Sequence, residues 1–332
     1  MIKCAIVGAT GLVGRTFLKV LEEKKLNIDS YTLFASEKSE GKKISFFNKD
    51  YIVKKLQEDS FEKEHFDYAL FSAGNNISKI YVPLAAQSGC IVIDNSSYFR
   101  MNENVPLVIP EVNPQDIFEN INIISNPNCS TIQAVVLLKP LHDIYHIKRI
   151  IYSTYQAVSG AGKKGIDDLV QKSKGDLLEK FPYQIDNNCI PQIDIFLENN
   201  YTKEEMKMIE ETKKILHEPN IPITATCVRV PVINCHGESI NVEFENEFNI
   251  LDIKQILSKS QGIIVLDDPQ RNIYPINTFV NGKDEVFVGR IRRDFSVKNG
   301  LNLWCVADNL RKGAATNAVQ ILEKLIGNKV KI

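Results

Sequence analysis

The chain has 332 residues, which predicts two domains at roughly 100–200 residues per domain. Hydrophobic residues make up 44% and charged residues 24%, proportions of a globular protein that exclude a disordered or fibrous chain. Forty basic and 41 acidic side chains give a net charge of -1, which excludes an overall field that attracts nucleic acid or an anionic membrane. We therefore expect a small-molecule partner.

The first residues, Met1 to Gly8, form the pattern of a buried strand and lack the basic start and cleavage site of a signal peptide. The apolar runs end far short of the ~20 residues that a membrane span needs. Seven cysteines, an odd number without a C-x-x-C pair, indicate reduced thiols and predict neither disulfides nor a metal site. These features predict a cytoplasmic protein.

Short apolar runs alternate with helical patterns in the first part of the chain. The predicted strands are Lys3–Val7, Tyr31–Ala35, Tyr68–Ser72, Ile91–Asp94 and Ile121–Ser125, and the predicted helices between them are Leu12–Lys24 and Ser78–Ser88. This alternation is typical of a parallel, doubly wound sheet, so we predict a Rossmann-like dinucleotide-binding domain.

Longer strand patterns dominate beyond about residue 130. They are Arg149–Val158, Ala225–Val232, Ser239–Glu245, Val286–Arg293 and Leu301–Asp308, with a helix at Thr202–Leu216. We predict an α+β catalytic and dimerisation domain with a mainly antiparallel sheet. The last helix, Gly313 to Leu325, is expected to return to the first domain. The predicted domains are therefore residues 1–128 with 313–332, and residues 129–312.

A glycine pattern, G-x-x-G-x-x-G, joins the first strand to the first helix. Glycines there let the backbone approach a pyrophosphate, whose charge is met by the helix N-terminus. A tight strand-to-helix turn would also explain the pattern, but its place in a βαβ unit favours a cofactor site. The residues expected to contact the cofactor are Gly8, Thr10, Gly11, Leu12 and Val13.

The second strand ends without the acidic residue that binds a ribose 2′-hydroxyl in NAD enzymes. Ser36, Lys38 and Ser39 follow instead and offer a cation and hydroxyl groups, which suit the 2′-phosphate of NADP. A polar surface loop is the alternative interpretation, and Glu37 lies among these residues. We predict NADP as the cofactor.

Cys129 lies between a buried strand and the apolar helix Ile132–Leu141, so we expect it at a helix start. The helix dipole and unpaired N–H groups there favour the thiolate, which attacks carbonyl carbon. The other six cysteines lie in strands, loops or helix ends and are predicted to be structural. A cysteine nucleophile beside a nicotinamide indicates a thioester that takes part in hydride transfer.

Such chemistry needs an acid/base, and the chain has five histidines. His236 is predicted to lie in a turn between two strands, where its side chain can be directed into a site. The other four lie near a helix end or in charged stretches, which favours roles outside catalysis. His236 is therefore the predicted acid/base.

Four segments together resemble the signatures of the aspartate-semialdehyde dehydrogenase family, and they occur in the family's order. They are Asn126–Thr131, Gln156–Gly162, Arg229 to Gly237, and Asp308–Ala315. With the glycine loop they are spread over most of the chain, and the match to the family covers almost the whole chain. The resemblance implies that NADPH reduces L-4-aspartyl phosphate to L-aspartate 4-semialdehyde with release of phosphate, in lysine (diaminopimelate), threonine and methionine biosynthesis. Cys129 would displace the phosphate, His236 would shuttle the proton and Gln156 would orient the substrate.

The resemblance also assigns charged side chains to the substrate, which carries a carboxylate, an ammonium group and a phosphate. Arg229 would bind the carboxylate bidentately and Glu204 the ammonium group. Arg100 and Lys207 would bind the phosphate, and Asn128 is also assigned to substrate binding. Without the resemblance, each of these arginines and lysines is interpreted as a solvated surface charge. Glu204 and Lys207 would then be an i,i+3 pair on an exposed helix.

The resemblance places Ser159 and Gly160 against the nicotinamide and Asn309 near its carboxamide. One departure is Lys38, where relatives often carry arginine; lysine gives no bidentate grip, so the preference for NADP is expected to be relaxed.

Two nearby enzyme classes are alternatives, N-acetyl-glutamyl-phosphate reductase and glyceraldehyde-3-phosphate dehydrogenase, but Ser130–Gln133 after the cysteine differs from both. A non-catalytic NADP-binding scaffold is disfavoured because Cys129, Gln156, Arg229 and His236 are all present. The antiparallel half has too few helices to cover both sheet faces, which predicts a homodimer or homotetramer.

Overall fold

The computed structural model describes residues 1–170 and 178–329. The chain divides into two compact units, Met1–Pro127 with Ala314–Ile332, and Asn128–Gly313. Each junction lies one residue from the predicted domain boundary. Among the described residues, no helix combines the length and apolar character needed to cross a membrane.

The first unit is built on a parallel sheet. The strands within Met1–Pro127 are β1 (Lys3–Val7), β2 (Ser30–Ala35), β3 (Lys43–Phe46), β4 (Lys49–Ile52), β5 (Lys54–Lys55), β6 (Tyr68–Phe71), β7 (Ile91–Asp94) and β8 (Ile123–Ser125). The helices within the same residues are α1 (Leu12–Lys24), α2 (Ser60–Lys63) and α3 (Asn75–Gln87). The order β5-β2-β1-β6-β7-β8 and the parallel pairing of all neighbours confirm the predicted Rossmann-like sheet.

Alternate residues of β1 enter two different hydrophobic cores, because successive side chains of a strand point to opposite faces. Ile6 packs in one core with Phe17 of α1. Ala5 and Val7 lie in the other with Val82 of α3. Helices on both faces therefore explain why these strands are apolar along their length.

The second unit holds a mixed sheet. Its helices are α4 (Cys129–Tyr145), α5 (Lys163–Val170), α6 (Lys203–Leu216), α7 (Ile250–Lys259) and α8 (Asn277–Val280). Its strands are β9 (Ile147–Gln156), β10 (Ile223–Arg229), β11 (His236–Phe244), β12 (Ile263–Val265), β13 (Val286–Asp294) and β14 (Gly300–Ala307). In the order β10-β9-β11-β14-β13-β12 the three inner pairings are antiparallel and the two outer pairings parallel, which confirms a mainly antiparallel sheet.

One face of this second sheet is buried under helices. Tyr152 of β9 is fully buried and its hydroxyl lies 3.2 Å from the hydroxyl of Thr212 on α6. The opposite face is more open: Tyr155 of β9 is 42% exposed, and its ring contacts the half-buried ring of Trp304 on β14. The sheet therefore presents an uncovered face within this unit.

The last helix, α9 (Thr316–Lys329), belongs to the first unit. Val319 and Leu322 are buried in the same core as Phe17 of α1. The final helix therefore packs in the core of the first unit. This return makes the first unit discontinuous in sequence.

Candidate active site and cofactor cleft

The glycine loop of the first unit forms a close backbone turn. Gly8 has a φ of +85°, and a Cβ built on it would lie 2.3 Å from the carbonyl oxygen of Ser72. A Cβ on Gly14 would lie 2.1 Å from the carbonyl oxygen of Gly8. Gly11 is the N-cap of α1 and offers no side chain to its amides. The helix N-terminus therefore presents backbone N–H groups to an incoming anion.

A cleft of ≈ 290 Å³ adjoins this turn, and the predicted residues Gly8, Thr10, Gly11 and Ser36 line it. Ser39 is buried, with its hydroxyl 3.4 Å from that of Thr10. Three other predicted contacts, Leu12, Val13 and Lys38, are not among the lining residues. Lys38 is exposed on the short turn Glu37–Ser39.

Lys55 also lines this cleft, and the sequence interpretation missed it. Lys55 ends β5, where it pairs with Ala35 at the end of β2. Its Nζ lies 3.0 Å from Oε1 of Glu37. The pairing of β5 with β2 joins segments about 20 residues apart, so no local pattern reveals it.

Cys129 is the first residue of α4, as expected from the sequence. Asn128 is the N-cap, and its Oδ1 accepts hydrogen bonds from the amides of Ser130 and Thr131 at 3.0 and 3.2 Å. The thiol is half-buried, and a Cβ on Gly313 would lie 2.8 Å from the Cβ of Cys129. Cys129 therefore lies at a capped helix N-terminus with backbone closely packed against it.

The remaining cysteines differ in exposure. Cys189 is exposed, whereas the buried ones are Cys4, Cys90, Cys227, Cys235 and Cys305. Burial raises the pKa of the Cys4, Cys227 and Cys305 thiols above the ordinary range.

Glu204 on α6 is the centre of a buried polar cluster, which corrects the interpretation of this helix turn as an exposed surface. Its Oε1 accepts hydrogen bonds from Asn128 Nδ2 at 2.8 Å and Gln156 Nε2 at 3.1 Å, and its Oε2 lies 2.9 Å from Lys207 Nζ. Burial acts to raise the pKa of Glu204, but Lys207 and the two amides outweigh it and lower the pKa to about 2. Glu204 is therefore a carboxylate.

The first turn of α6 is buried because it packs on β10. The neighbouring Glu205 closes a capping box with Thr202, and its Oε1 accepts the amide of Cys227 at 3.0 Å. Lys207 forms a second ion pair, at 3.1 Å, with Asp194, a residue that the sequence interpretation missed. Charge spacing on a helix cannot distinguish this buried arrangement from a solvated one.

His236 is the first residue of β11 rather than part of a turn, because its segment pairs with Ala307 of β14. Its side chain is fully buried, and Nδ1 accepts a hydrogen bond from the Ala157 amide at 2.9 Å. A ring nitrogen that accepts cannot carry the proton, which assigns the proton of the neutral imidazole to Nε2. Burial, followed by the nearby Arg229, lowers the pKa of His236 to about 3.

Arg229 ends β10 beside Gln156, the last residue of β9. Arg229 is 5% exposed, and its Nη1 donates to the carbonyl of Ala157 at 2.5 Å. A Cβ on Gly160 would lie 3.1 Å from this Nη1 and 3.3 Å from His236 Nε2. Arg229 and His236 therefore converge on the backbone of Gly160.

Ser159 and Asn309, two residues predicted to contact the nicotinamide, are hydrogen-bonded to each other. Asn309 Nδ2 donates to the hydroxyl of Ser159 at 3.0 Å, and its Oδ1 accepts the amide of Cys235 at 2.9 Å. Arg100 belongs to the first unit, where it is buried and donates to the carbonyl of Asn95 at 2.9 Å. The second unit thus holds all the predicted catalytic and substrate residues except Arg100: Asn128, Cys129, Gln156, Glu204, Lys207, Arg229 and His236.

Comparison with known proteins finds relatives over nearly the full length. The family model described as "Semialdehyde dehydrogenase, NAD binding domain" matches residues 3–120. The model described as "Semialdehyde dehydrogenase, dimerisation domain" matches residues 138–312. An aspartate-semialdehyde dehydrogenase of Aquifex aeolicus is 54% identical over 98% of each chain.

Solved structures show the same similarity. Aspartate semialdehyde dehydrogenase II of Vibrio cholerae, complexed with ASA, has a TM-score of 0.94 and 48% identity over 98% of each chain. The aspartate semialdehyde dehydrogenase of Candida albicans, with NADP, has a TM-score of 0.78 and 27% identity, covering 99% of this chain and 100% of that chain.

Proposed function

The chain belongs to the aspartate-semialdehyde dehydrogenase family, and from this membership we propose that it reduces L-4-aspartyl phosphate to L-aspartate 4-semialdehyde. The observation that carries the proposal is Cys129 at the capped N-terminus of α4, in the unit that also holds Gln156, Arg229 and His236. An acyl phosphate needs a nucleophile that forms a reducible thioester, and a thiolate at a helix N-terminus provides it.

In the proposed reaction the Cys129 thiolate attacks the acyl carbon, and the C–O bond to phosphate breaks to give a thioester and inorganic phosphate. When bound, the reduced nicotinamide supplies the hydride that the thioester carbon accepts. The resulting oxyanion reforms a C=O bond as the C–S bond breaks, which releases the aldehyde and the thiolate. His236 donates its Nε2 proton in a hydrogen bond to the oxygen that becomes negative, and so stabilises each tetrahedral stage.

Buried charges support the assignment of an amino-acid substrate. Arg229 is buried and donates a hydrogen bond to the carbonyl of Ala157, and we assign it to the substrate carboxylate. Glu204, held as a carboxylate, is assigned to the ammonium group. Lys207 and Arg100 are assigned to phosphate, and Gln156 and Asn128 position the substrate through their amides. In the described residues, Lys207 is paired with Glu204 and Asp194, so phosphate would compete for its ammonium group.

We propose NADP as the cofactor, bound by the glycine loop with Leu12 and Val13 at the start of α1. The close backbone turn at Gly8 suits a dinucleotide pyrophosphate. Ser36, Lys38 and Ser39 are assigned to the 2′-phosphate, and Lys55, which lines the cleft together with Ser36, adds a second cation. Ser159, Gly160 and Asn309 are assigned to the nicotinamide end. The protein is proposed to act in the cytoplasm in lysine, threonine and methionine biosynthesis.

The test is the Cys129→Ala variant in the reverse direction, phosphate-dependent oxidation of aspartate semialdehyde. The variant is expected to lose this activity and to bind NADP with an affinity close to that of wild type, because the cofactor loop lies in the other unit. Cys90→Ala, which removes a buried thiol of the first unit, serves as the control and should remain active. The proposal fails if an alkylating reagent inactivates the enzyme while leaving Cys129 unlabelled.

A further inference from the structure

The residue before His236 has a backbone conformation that L-residues rarely adopt. Cys235 is fully buried and has a φ of 69°. In this left-handed region the Cβ crowds the following carbonyl group, so only glycine adopts it without strain. Strained non-glycine residues persist only where surrounding contacts hold them, and such residues are frequent at functional sites. The direction of the His236 side chain depends on this peptide.

Side-chain amides hold both ends of the Cys235 residue. Its N–H donates to Asn309 Oδ1 at 2.9 Å, and its carbonyl oxygen accepts from Asn277 Nδ2 at 2.6 Å. Asn277 is the first residue of α8, and its Nδ2 is also 3.4 Å from the carbonyl of Asn234. The sequence motifs include Asn309, whereas Asn277 lies outside all of them.

Further contacts hold His236 itself. Its carbonyl oxygen accepts from Gln133 Nε2 at 3.2 Å, and its Nδ1 accepts from the Ala157 amide. The hydrogen bond to Nδ1 depends on the orientation of the imidazole ring. In the observed orientation Nδ1 faces the Ala157 amide and Nε2 faces Gly160. Relaxation of Cys235 to an extended conformation would turn the peptide plane that precedes His236 and would weaken this contact.

We propose that Asn277 is a positioning residue for His236, acting by holding the left-handed Cys235 peptide. The part of this proposal that concerns turnover rests on the proposed function. Asn277 needs to be a donor, since its partner is a carbonyl oxygen. An aspartate of the same shape would place a carboxylate oxygen against that carbonyl and would repel it.

The first experiment compares Asn277→Asp with Asn281→Asp, a matched change at an exposed asparagine that follows the same short helix. Asn277→Asp is expected to lower kcat by roughly 10- to 100-fold, with KM changed by less than about twofold, because misplacement of a reacting group affects the chemical step. Asn281→Asp should keep the wild-type kcat. An unchanged kcat in Asn277→Asp would overturn the proposal, even if the variant were less stable to heat.

The second experiment repeats the substitution in a Cys235→Gly background. Glycine populates positive φ readily, so residue 235 needs less support from Asn277 in this background. The loss of kcat caused by Asn277→Asp is therefore expected to shrink to less than about threefold. An equal fold loss in both backgrounds would show that Asn277 acts by a different route, and would overturn the proposal.

A third measurement does not depend on turnover. The chain has five histidines, so ¹⁵N-histidine labelling allows the ring nitrogens of His236 to be assigned by NMR. A single Nε2–H tautomer is expected in wild type and Asn281→Asp, and a mixture of tautomers in Asn277→Asp. If the wild-type protein did not act on aspartate semialdehyde, the proposed function would fail, while these spectra would still decide the role of Asn277. A single unchanged tautomer in Asn277→Asp would count against that role.

Discussion

His236 and Glu204 are both buried, yet at neutral pH His236 is a neutral imidazole and Glu204 an ionised carboxylate. Glu204 receives an ammonium group and two amide donors, which stabilise its carboxylate. His236 lies near Arg229, and this cation disfavours a second positive charge. Two residues along β11, burial raises the pKa of Glu238 well above its ordinary value and so favours the protonated form of this carboxyl. Burial and nearby partners, more than residue type, set the charge of each group.

The first residue-scale prediction concerns stability and pH. An unfolded histidine takes up a proton below its ordinary pKa of 6.5, whereas folded His236 resists protonation until about 3. Its pKa is lowered on folding, so acid favours the unfolded chain, and the free energy of unfolding should fall as pH drops below 6.5. The slope from this one group approaches about 1.4 kcal/mol per pH unit.

Denaturant unfolding of wild type and His236→Gln between pH 6.5 and 5 measures this effect. This interval lies above the pH range in which protonation of Glu204 changes the free energy of unfolding. The variant should show the shallower dependence. His142, whose pKa burial also lowers, contributes equally to both proteins. Parallel curves for the two proteins would contradict the assignment of a neutral buried His236.

The second residue-scale prediction concerns cofactor choice. Loss of a charge-assisted hydrogen bond costs roughly 1.5–3 kcal/mol, so Lys38→Ala should weaken NADP binding by about one to two orders of magnitude and barely change NAD binding. Lys55→Ala should act in the same direction, and Glu37→Gln should tighten NADP binding because it removes the carboxylate that competes for Lys55. Titration with both cofactors checks this. Equal losses for NADP and NAD would mean that these lysines support the loop without contacting the 2′-phosphate.

At the scale of elements, the N-cap of α4 connects helix stability with the site. Asn128→Ala removes the cap and the donor to Glu204, so it should cost about 1 kcal/mol of unfolding free energy and also lower activity. Asn249→Ala is the matched control, because Asn249 caps α7 through the Leu251 amide. It should lose similar stability and keep full activity. If the two variants were equally active, Asn128 would be a cap and nothing more.

Local patterns predicted those elements whose signal lies within one segment. The predicted bounds of β1, α1 and β7 agree with the structure, because apolar runs and the glycine turn define them. The predicted family is also confirmed. The hairpin of β3 and β4 was missed, since its turn uses Phe47 and Asn48 at φ of 49° and 55° without the Asn-Gly signal of such turns.

Parts of the site depend on contacts between distant segments, which no local pattern contains. His236 was predicted in a turn because its strand pairing with β14 involves residues about 70 positions away. The burial of Glu204, the ion pair with Asp194 and the contact from Asn277 have the same origin. Motif resemblance identified the residue types, and the fold supplied their partners.

At the scale of the whole molecule, the uncovered sheet face of the second unit predicts self-association. Tyr155 and Trp304 lie on this face, and the dimerisation-domain match covers it. Sedimentation at micromolar concentration should show at least a dimer. Tyr155→Asp, which places a charge on the face, should shift the protein toward monomer. A fully active wild-type monomer under these conditions would contradict the prediction.

The uneven burial of the seven cysteines makes the chain suitable for selective chemical labelling. Five thiols are buried, Cys189 is exposed and Cys129 is half-buried, so a thiol reagent applied to the folded protein should reach two sulfur atoms and the remaining five only after unfolding. Replacing Cys189 with serine would leave Cys129 as the single accessible thiol. The rate at which a thiol reagent then labels Cys129 would report on occupancy of the proposed site, because bound substrate or phosphate would shield the thiol, and no buried cysteine would need to be mutated.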